Sequence, residues 1–542
     1  MNSQTFIIAQ TLLLVLVVSW AKAGLTEWGP TFIMITVFVG LIGAPLLRRR
    51  EKDGHADLSW KGFVPLLLFF MVGILGSLNP SFKKLENTFA YGEKKELEIL
   101  AKREFALGGN PHFINRVMRE MYLFRKQVEQ QNQDLALARF HLAYRYVINE
   151  PKSALKRTFE RYLEDIRVKS AEWFPSAATP ETSQRKLYLL TFVFLQGILV
   201  YRYLRERKLL RLLLTVLGIN CVLIAIAGIW QKLAFNPNDI DPEIWGVWEA
   251  PEPRYFFASF TYKNHWCAYA VLGMGILAGL ITNWLRGHSK DFFRGSPVPI
   301  ALLGMVILVA SAPLSGSVLG TILTLFVAIP FAGFFFRQLV SKSWGRARRR
   351  IGCLIAVSLP IIASWIVLAS SPETKRETLQ KISNRWAAIK AGQLPWRYYH
   401  SKDSWTMFMD KPVWGWGLGS TAPLYPLYAS SEIIKQSEKQ LEYAHHDERF
   451  FGLEHSHNDW FQYLAETGVI GVALLVVGPV MALRGKRLSK SVTLWALFAC
   501  GSLLLYSFVD FPSRTPACSI LFSVVMGAAL KYGRRGVNKK TR

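Results

Sequence analysis

Long apolar runs alternate with short polar connections along most of this chain. A helix needs about 20 mostly apolar residues to cross the hydrocarbon core of a bilayer. Runs of about that length occupy residues 6–20, 30–47, 62–78, 187–203, 209–230, 265–285, 298–312, 316–336, 351–369, 468–483, 491–509 and 517–530. The pattern predicts an all-α polytopic membrane protein with about twelve transmembrane helices. Two stretches interrupt it. Residues 80–186 are too long for a mere connection. There Asn110-Pro111 reads as a cap followed by a first-turn proline, and Val117, Met121, Phe124 and Val128 recur as on one helix face. Asn149-Glu150-Pro151 breaks that pattern, and a second helical stretch is expected over residues 154–173. The other interruption is a large loop over residues 370–461. The expected divisions are three spans in 1–79, a mostly helical insertion in 80–186, six central spans in 187–369, the loop in 370–461, and three spans with a basic tail in 462–542.

Charge adds sidedness. The net charge of +27 would suggest nucleic acid for a soluble domain, but here Lys and Arg fall in short blocks between apolar runs. Arg48-Arg49-Arg50, 202–211, 286–294, 337–350, 484–490 and 531–542 mark alternate connections. Placing all six blocks in the cytoplasm gives one consistent topology, with both termini inside and the 80–186 and 370–461 stretches periplasmic. No nucleic-acid partner is then required. Ala21-Lys22-Ala23 resembles a signal-peptidase site, yet no Lys or Arg precedes the apolar run, so the segment is read as a retained span. The five cysteines lie in apolar segments without metal spacing, so neither a disulfide framework nor a metal site is expected.

Polar chemistry gathers at the outward ends of spans. A transporter usually keeps ionisable groups near the bilayer midplane, whereas these spans contain very few; an enzyme or receptor at the outer membrane face is favoured. Four clusters stand out. Arg254 precedes an aromatic run that ends in Lys263-Asn264-His265; such cations can hold phosphate or simply anchor an interface. Arg397-Tyr398-Tyr399-His400 precedes the glycine-rich segment from Pro412 to Gly419, which predicts a tight backbone path near a ligand or a packed helix. His455-Ser456-His457-Asn458-Asp459 puts imidazoles that can accept a proton near neutral pH at a span mouth. On a helix two residues two apart diverge, so both histidines face one site only on an extended backbone. Asp510 and Arg514 share a short turn that could be no more than a structural ion pair, and His445-His446-Asp447 reads as solvated.

His457-Asn458, nine residues, then Gly468-x-x-Gly471 resembles the signature of the bacterial O-antigen ligase and O-antigen polymerase superfamily. Residues 254–264, 397–419 and Asp510-Phe511-Pro512-x-Arg514-x-Pro516 are similar to further motifs of that family, and the likeness spans roughly residues 170–530. The resemblance implies a metal-independent inverting glycosyltransferase of the bacterial inner membrane, without cofactor, its site facing the periplasm. The implied donor is a glycan on undecaprenyl pyrophosphate, and the acceptor a glycan, lipid or protein hydroxyl. His457 matches the histidine that assists the acceptor hydroxyl; Arg254 and Arg397 match arginines near the pyrophosphate. Where many ligases carry Ser-Arg, this chain reads Ser315-Gly316-Ser317-Val318, so Arg514 or Lys263 is expected to substitute. His455, Asn458, Asp459, Asn264, Asp510, Gly468 and Gly471 are the expected supporting residues. Rival readings are a polymerase of lipid-linked repeat units and, in a different class, a polysaccharide or lipid transporter.

Overall fold

The computed structural model describes residues 2–49, 64–85, 99–100, 103, 111–148, 155–169, 173–234, 243–250, 256–287, 296–339, 346–370, 372–435, 455–484 and 491–533. The helices are α1 (Ser3–Trp20), α2 (Gly29–Arg49), α3 (Val64–Leu78), α4 (Pro111–Glu129), α5 (Gln133–Ile148), α6 (Leu155–Ile166), α7 (Pro180–Tyr203), α8 (Arg207–Leu233) and α9 (Lys263–Gly287). They continue with α10 (Val298–Leu314), α11 (Val318–Leu339), α12 (Arg346–Ala369), α13 (Pro372–Lys390), α14 (Trp396–Asp410), α15 (Thr421–Tyr428), α16 (Asp459–Leu483), α17 (Ser491–Tyr506) and α18 (Pro516–Tyr532). Among the described residues the only paired strands are the two-residue β1 (Glu243–Ile244) and β2 (Trp248–Glu249), antiparallel to each other. The protein is all-α and polytopic. Seven helices, α1, α2, α8, α9, α11, α12 and α16, are long and apolar enough to cross a membrane; α3, α10, α17 and α18 are apolar but shorter. The run at 187–203 falls in α7, which carries Arg185, Lys186 and Arg202 and is not among the seven.

Met1–Ser59, Leu189–Lys390 and Ala482–Arg542 form one compact unit. Its centre is α9, whose Trp266, Tyr269, Leu272 and Leu280 are fully buried. A helix apolar on every side is stable only when enclosed, and α8, α10, α11, α17 and α18 enclose this one. Small residues let the backbones approach: a Cβ on Gly275 would stand 2.3 Å from the Ala499 Cβ on α17. Polar groups inside the apolar runs find one another. Gln10 donates to Gln196 Oε1 and Gln196 to Thr11 Oγ1, each at 2.8 Å, which removes the cost of burying unpaired amides.

Trp60–Tyr188 and Ala391–Met481 form the second unit. Val117, Met121, Phe124 and Val128 are all buried, as their spacing predicts. The segment is nevertheless two helices. The chain turns at Gln131, whose φ is +57°, and Asn132 Oδ1 accepts from Leu135 N at 3.2 Å to start α5. The residues expected to break the pattern, Asn149-Glu150-Pro151, lie outside the described ones, and α6 stops at Ile166, short of the expected 173. A buried ion pair from Arg139 to Glu120 at 2.9 Å joins α5 to α4. Phe124, Phe140 and Phe159 share one core with Leu424, Tyr425 and Ile433, so the insertion and the 396–434 segment pack as a single body.

The last span of this unit corrects an expected boundary. Helix α16 starts at Asp459 rather than at 468, and Gly468 interrupts it with φ +62° and ψ −175°, a region that essentially only glycine occupies. An unbroken helix would bond the Val469 and Ile470 N–H groups to the Ala465 and Glu466 carbonyls. Instead those carbonyls accept from Trp416 N at 3.0 Å and Gly417 N at 2.8 Å. Val469 N and Ile470 N donate to Pro412 O at 2.9 Å and Val413 O at 3.3 Å. The glycine-rich segment therefore splices the broken helix. Contact is backbone to backbone: a Cβ on Gly415 would sit 2.5 Å from Glu466 C, and one on Gly468 would sit 2.2 Å from Val413 O. Of the two fates expected for the glycines, packing against a helix is the one observed.

Gly468→Ala should cost about 3 kcal/mol, since strain and overpacking each typically contribute ~1–3 kcal/mol. The check is the thermal midpoint of detergent-purified protein, with Gly501→Ala as a control because a Cβ at Gly501 would meet nothing within 4 Å. Equal midpoints for the two variants would remove the splice from the account of stability.

Candidate functional site

In the second unit the histidine segment is not helical. Residues 455–458 precede α16, and Asn458 caps it: its Oδ1 accepts from Phe461 N at 3.1 Å and its carbonyl from Gln462 N at 3.0 Å. Asp459 follows in the first turn, where a carboxylate complements the helix dipole. Ser456 Oγ donates to the Asn458 carbonyl at 2.8 Å and closes the turn. His457, between them, takes φ +51°, a left-handed conformation that costs a non-glycine residue about 1–2 kcal/mol. Its ring packs edge-on against Trp396, with centroids 4.5 Å apart, and lies 5.7 Å from His400. Arg397 is half-buried on the same turn of α14, its guanidinium 5.7 Å from the Trp396 ring and close enough to His400 to act on it electrostatically. The structure thus brings His457 and Arg397 into one neighbourhood, and His455 and Asn458 flank it in sequence.

Behind His457 runs a buried polar chain that sequence reasoning did not single out. Tyr425 OH donates to Asp403 Oδ2 at 3.0 Å, and Ser430 N and Oγ donate to the same oxygen at 2.9 and 3.2 Å. A phenol has one proton, and Asp403 takes it. The 2.5 Å contact between Tyr425 OH and His400 Nδ1 then requires the imidazole to donate, which leaves its Nε2 with a lone pair. Burial, with Arg397 adding to it, pushes the His400 pKa down to about 4, so the ring is neutral at physiological pH. Burial raises the Asp403 carboxyl, and the hydrogen bonds it accepts oppose that shift. Glu466 is the other omission. It is fully buried one residue before Thr467-Gly468, and its Oε1 accepts from Thr421 Oγ1 at 2.7 Å and Gln462 Nε2 at 2.9 Å. An acid inside an apolar run was the signal available for it. Gly471 and Glu466 also line a small cavity of about 30 Å³ with Ser176 and Trp414.

The first unit holds a separate polar cluster. Asn264 Nδ2 donates to Asp510 Oδ2 at 2.6 Å and to Tyr262 OH at 2.8 Å, and Ser317 Oγ donates to Asn264 Oδ1 at 2.5 Å. Asp510 also accepts from Tyr506 OH at 3.0 Å and Phe511 N at 2.9 Å, while Thr515 Oγ1 meets His265 Nδ1 at 2.6 Å. Arg514 sits half-buried on the 3-10 turn Pro512–Arg514, and Lys263 is buried at the start of α9. The Asn264 to Asp510 bond joins two motifs that stand far apart in the chain. Ser317, at the position where the family pattern departs, belongs to the same network. Arg254 lies outside the described residues, as do His445, His446 and Asp447.

Residues 303–476 match a family model described as O-antigen ligase. That match supports membership in the ligase and polymerase superfamily. It also supports enzymatic activity of that general kind in building the cell envelope. Neither the curated proteins nor the solved structures contain a match to the chain. The match covers about a third of the chain, narrower than the likeness read from the motifs. Within it fall Arg397, His400, Asp403, Tyr425, His455, His457, Glu466, Gly468 and Gly471; Lys263, Asn264, Asp510 and Arg514 fall outside. Among the described residues no group of three or more His, Cys, Asp and Glu side chains gathers as metal ligands would.

Two neutral buried histidines give this unit a pH signature. His141, which donates from Nδ1 to the Pro423 carbonyl at 2.9 Å, is also pushed down to about 4 by burial. The unfolded chain binds these protons near pH 6.5, the folded chain only near 4. Their contribution to stability is therefore complete above about pH 6.5 and is lost as pH falls toward 4. Asp403 and Glu120, raised by burial, act with the opposite sign. The difference between wild type and His141→Phe isolates the histidine: the acid-side fall in thermal midpoint should be shallower in the variant, and parallel profiles would contradict the assignment.

Proposed function

We propose that the protein is an O-antigen ligase-like inverting glycosyltransferase of the bacterial inner membrane. It moves a glycan from undecaprenyl pyrophosphate to an acceptor hydroxyl at the periplasmic face. The basic blocks support this sidedness, with both termini cytoplasmic and about twelve crossings. The observation that carries the reading is His457, held in a left-handed conformation against Trp396 and His400 within the stretch that matches the O-antigen ligase family.

In this reading the His457 imidazole accepts the proton of the acceptor hydroxyl as its oxygen attacks the anomeric carbon of the donor. The bond from that carbon to the pyrophosphate oxygen breaks on the opposite face, so configuration inverts. The electron pair leaves with the pyrophosphate, whose charge Arg397 stabilises; the resemblance assigns Arg254, Arg514 and Lys263 to the same anion. A cation already in place lowers the barrier because it needs no reorganisation as charge develops. Trp396 and the His400, Tyr425 and Asp403 chain hold the base in position, and Asn458 and Asp459 fix the backbone that presents it. His455 flanks it. A ligase and a polymerase share donor and chemistry; loss of only long-chain glycan in a deletion strain, with a single unit still on its final acceptor, identifies a polymerase.

His457→Ala should lower glycan transfer by ~10²–10⁴, the usual worth of a positioned base, while membrane insertion is unchanged. Arg397→Ala should also abolish transfer. A reconstituted assay with lipid-linked glycan measures both, and normal turnover by the two variants would sink the mechanism.

A further inference from the structure

The first unit contains an apolar groove that the proposed transfer chemistry leaves unused. It has a volume of about 220 Å³ and runs between α11, α12 and α13, with Ile322, Leu325, Ile361, Trp365, Leu368 and Ile382 among its walls. These are side chains of two helices long and apolar enough to span the membrane and of the amphipathic helix that follows them. At one end the groove is lined by Ser317 and Thr378. Ser317 is bonded to Asn264, the residue after Lys263, and Thr378 lies one helical turn before Lys381.

Three lysines gather at that end. Lys232 stands in the last turn of α8, Lys263 opens α9, and Lys381 lies on α13. The Lys263 and Lys381 ammonium groups are in hydrogen-bonding contact, and Lys232 and Glu377 act on Lys263 electrostatically. Glu377 pairs with Lys381 at 3.3 Å, and Lys232 stacks on Phe256 with its Nζ 4.9 Å from the ring. Lys263 is buried. Three cations facing one carboxylate repel one another at a site partly removed from water, and a multiply charged anion among them relieves that repulsion.

We propose that this groove and its lysine end bind the carrier lipid, an isoprenoid chain lying along α11 and α12 and its phosphates between Lys232, Lys263 and Lys381. The occupant is a polyprenyl phosphate or pyrophosphate rather than a phospholipid for two reasons. The groove is one trough, which fits one branched chain and not the paired chains of a diacyl lipid. The excess of cations over Glu377 exceeds what a singly charged headgroup would neutralise. The identity of the lipid rests on the glycosyltransferase reading; the existence of the anionic-lipid site does not.

The test uses the purified full chain with undecaprenyl phosphate as probe and phosphatidylglycerol as competitor, and reads bound lipid by native mass spectrometry. Lys381 is half-exposed, so its charge can be reversed without disturbing the core. Lys381→Glu and Thr378→Trp, one removing a cation and one filling the groove, should each weaken probe binding at least tenfold at an unchanged thermal midpoint. Lys381→Arg should restore it. Retained binding in both loss variants overturns the site, and so does equal displacement by phosphatidylglycerol. If the variants lose the probe but wild type transfers no glycan in the reconstituted assay, the lipid site stands and the glycosyltransferase reading falls.

Discussion

Breaking an α-helix leaves backbone donors and acceptors that must be satisfied elsewhere, and in an apolar setting water cannot do it. The second unit is built around one such repair. At Gly468 two carbonyls and two N–H groups of α16 lose their helical partners, and residues 412–417 supply all four. The exchange demands direct contact between main chains, which is why glycine stands at 415 and 468. It also fixes the register between the glycine-rich segment and α16. The turn before α16 and α14 are thereby held in a defined relation, since α14 leads straight into that segment.

Several features of the candidate site depend on this. Glu466, whose carbonyl belongs to the splice, turns its carboxylate onto Thr421 at the start of α15. Helix α15 carries Tyr425, which orders His400 and Asp403 on α14. The insertion completes the arrangement from the other side, with α5 packed on α15 through His141 and Pro423. A segment that reads as an appendage in one dimension is thus part of the wall that positions the histidine pair. Its core is continuous with that of the site.

The first unit obeys a different constraint. Its central helix α9 is enclosed on all sides, so the residues at its outer end, Lys263, Asn264 and His265, are held by whatever surrounds them. Asn264 is fixed by a carboxylate from the turn before α18 and by a serine from the start of α11. Such a network, fully hydrogen-bonded in a medium of low polarity, is rigid because every alternative leaves a buried polar group unpaired. The lysines beside it, by contrast, gather like charge, and that difference separates a structural network from a place built for an anion.

Much of this was legible in the chain. Apolar length placed the helices because burial in lipid or protein is demanded of every such run, and the spacing of Val117, Met121, Phe124 and Val128 named a buried face correctly. His457, Asn458 and the glycines 468 and 471 were visible as a motif. What the sequence alone could not say is what Gly468 is for. A positive φ and a close approach exist only when a second segment arrives, and that segment lies some 50 residues earlier. Asp403, Tyr425 and Glu466 escaped for the same reason: each is unremarkable in its own stretch and acquires meaning from a partner brought up by packing. Local pattern determined which helices form and where polar chemistry collects, since those follow from transfer free energies residue by residue. Which polar groups meet was decided by the tertiary structure alone, because hydrogen bonds and charge pairs act over a few ångströms in space and are indifferent to distance along the chain.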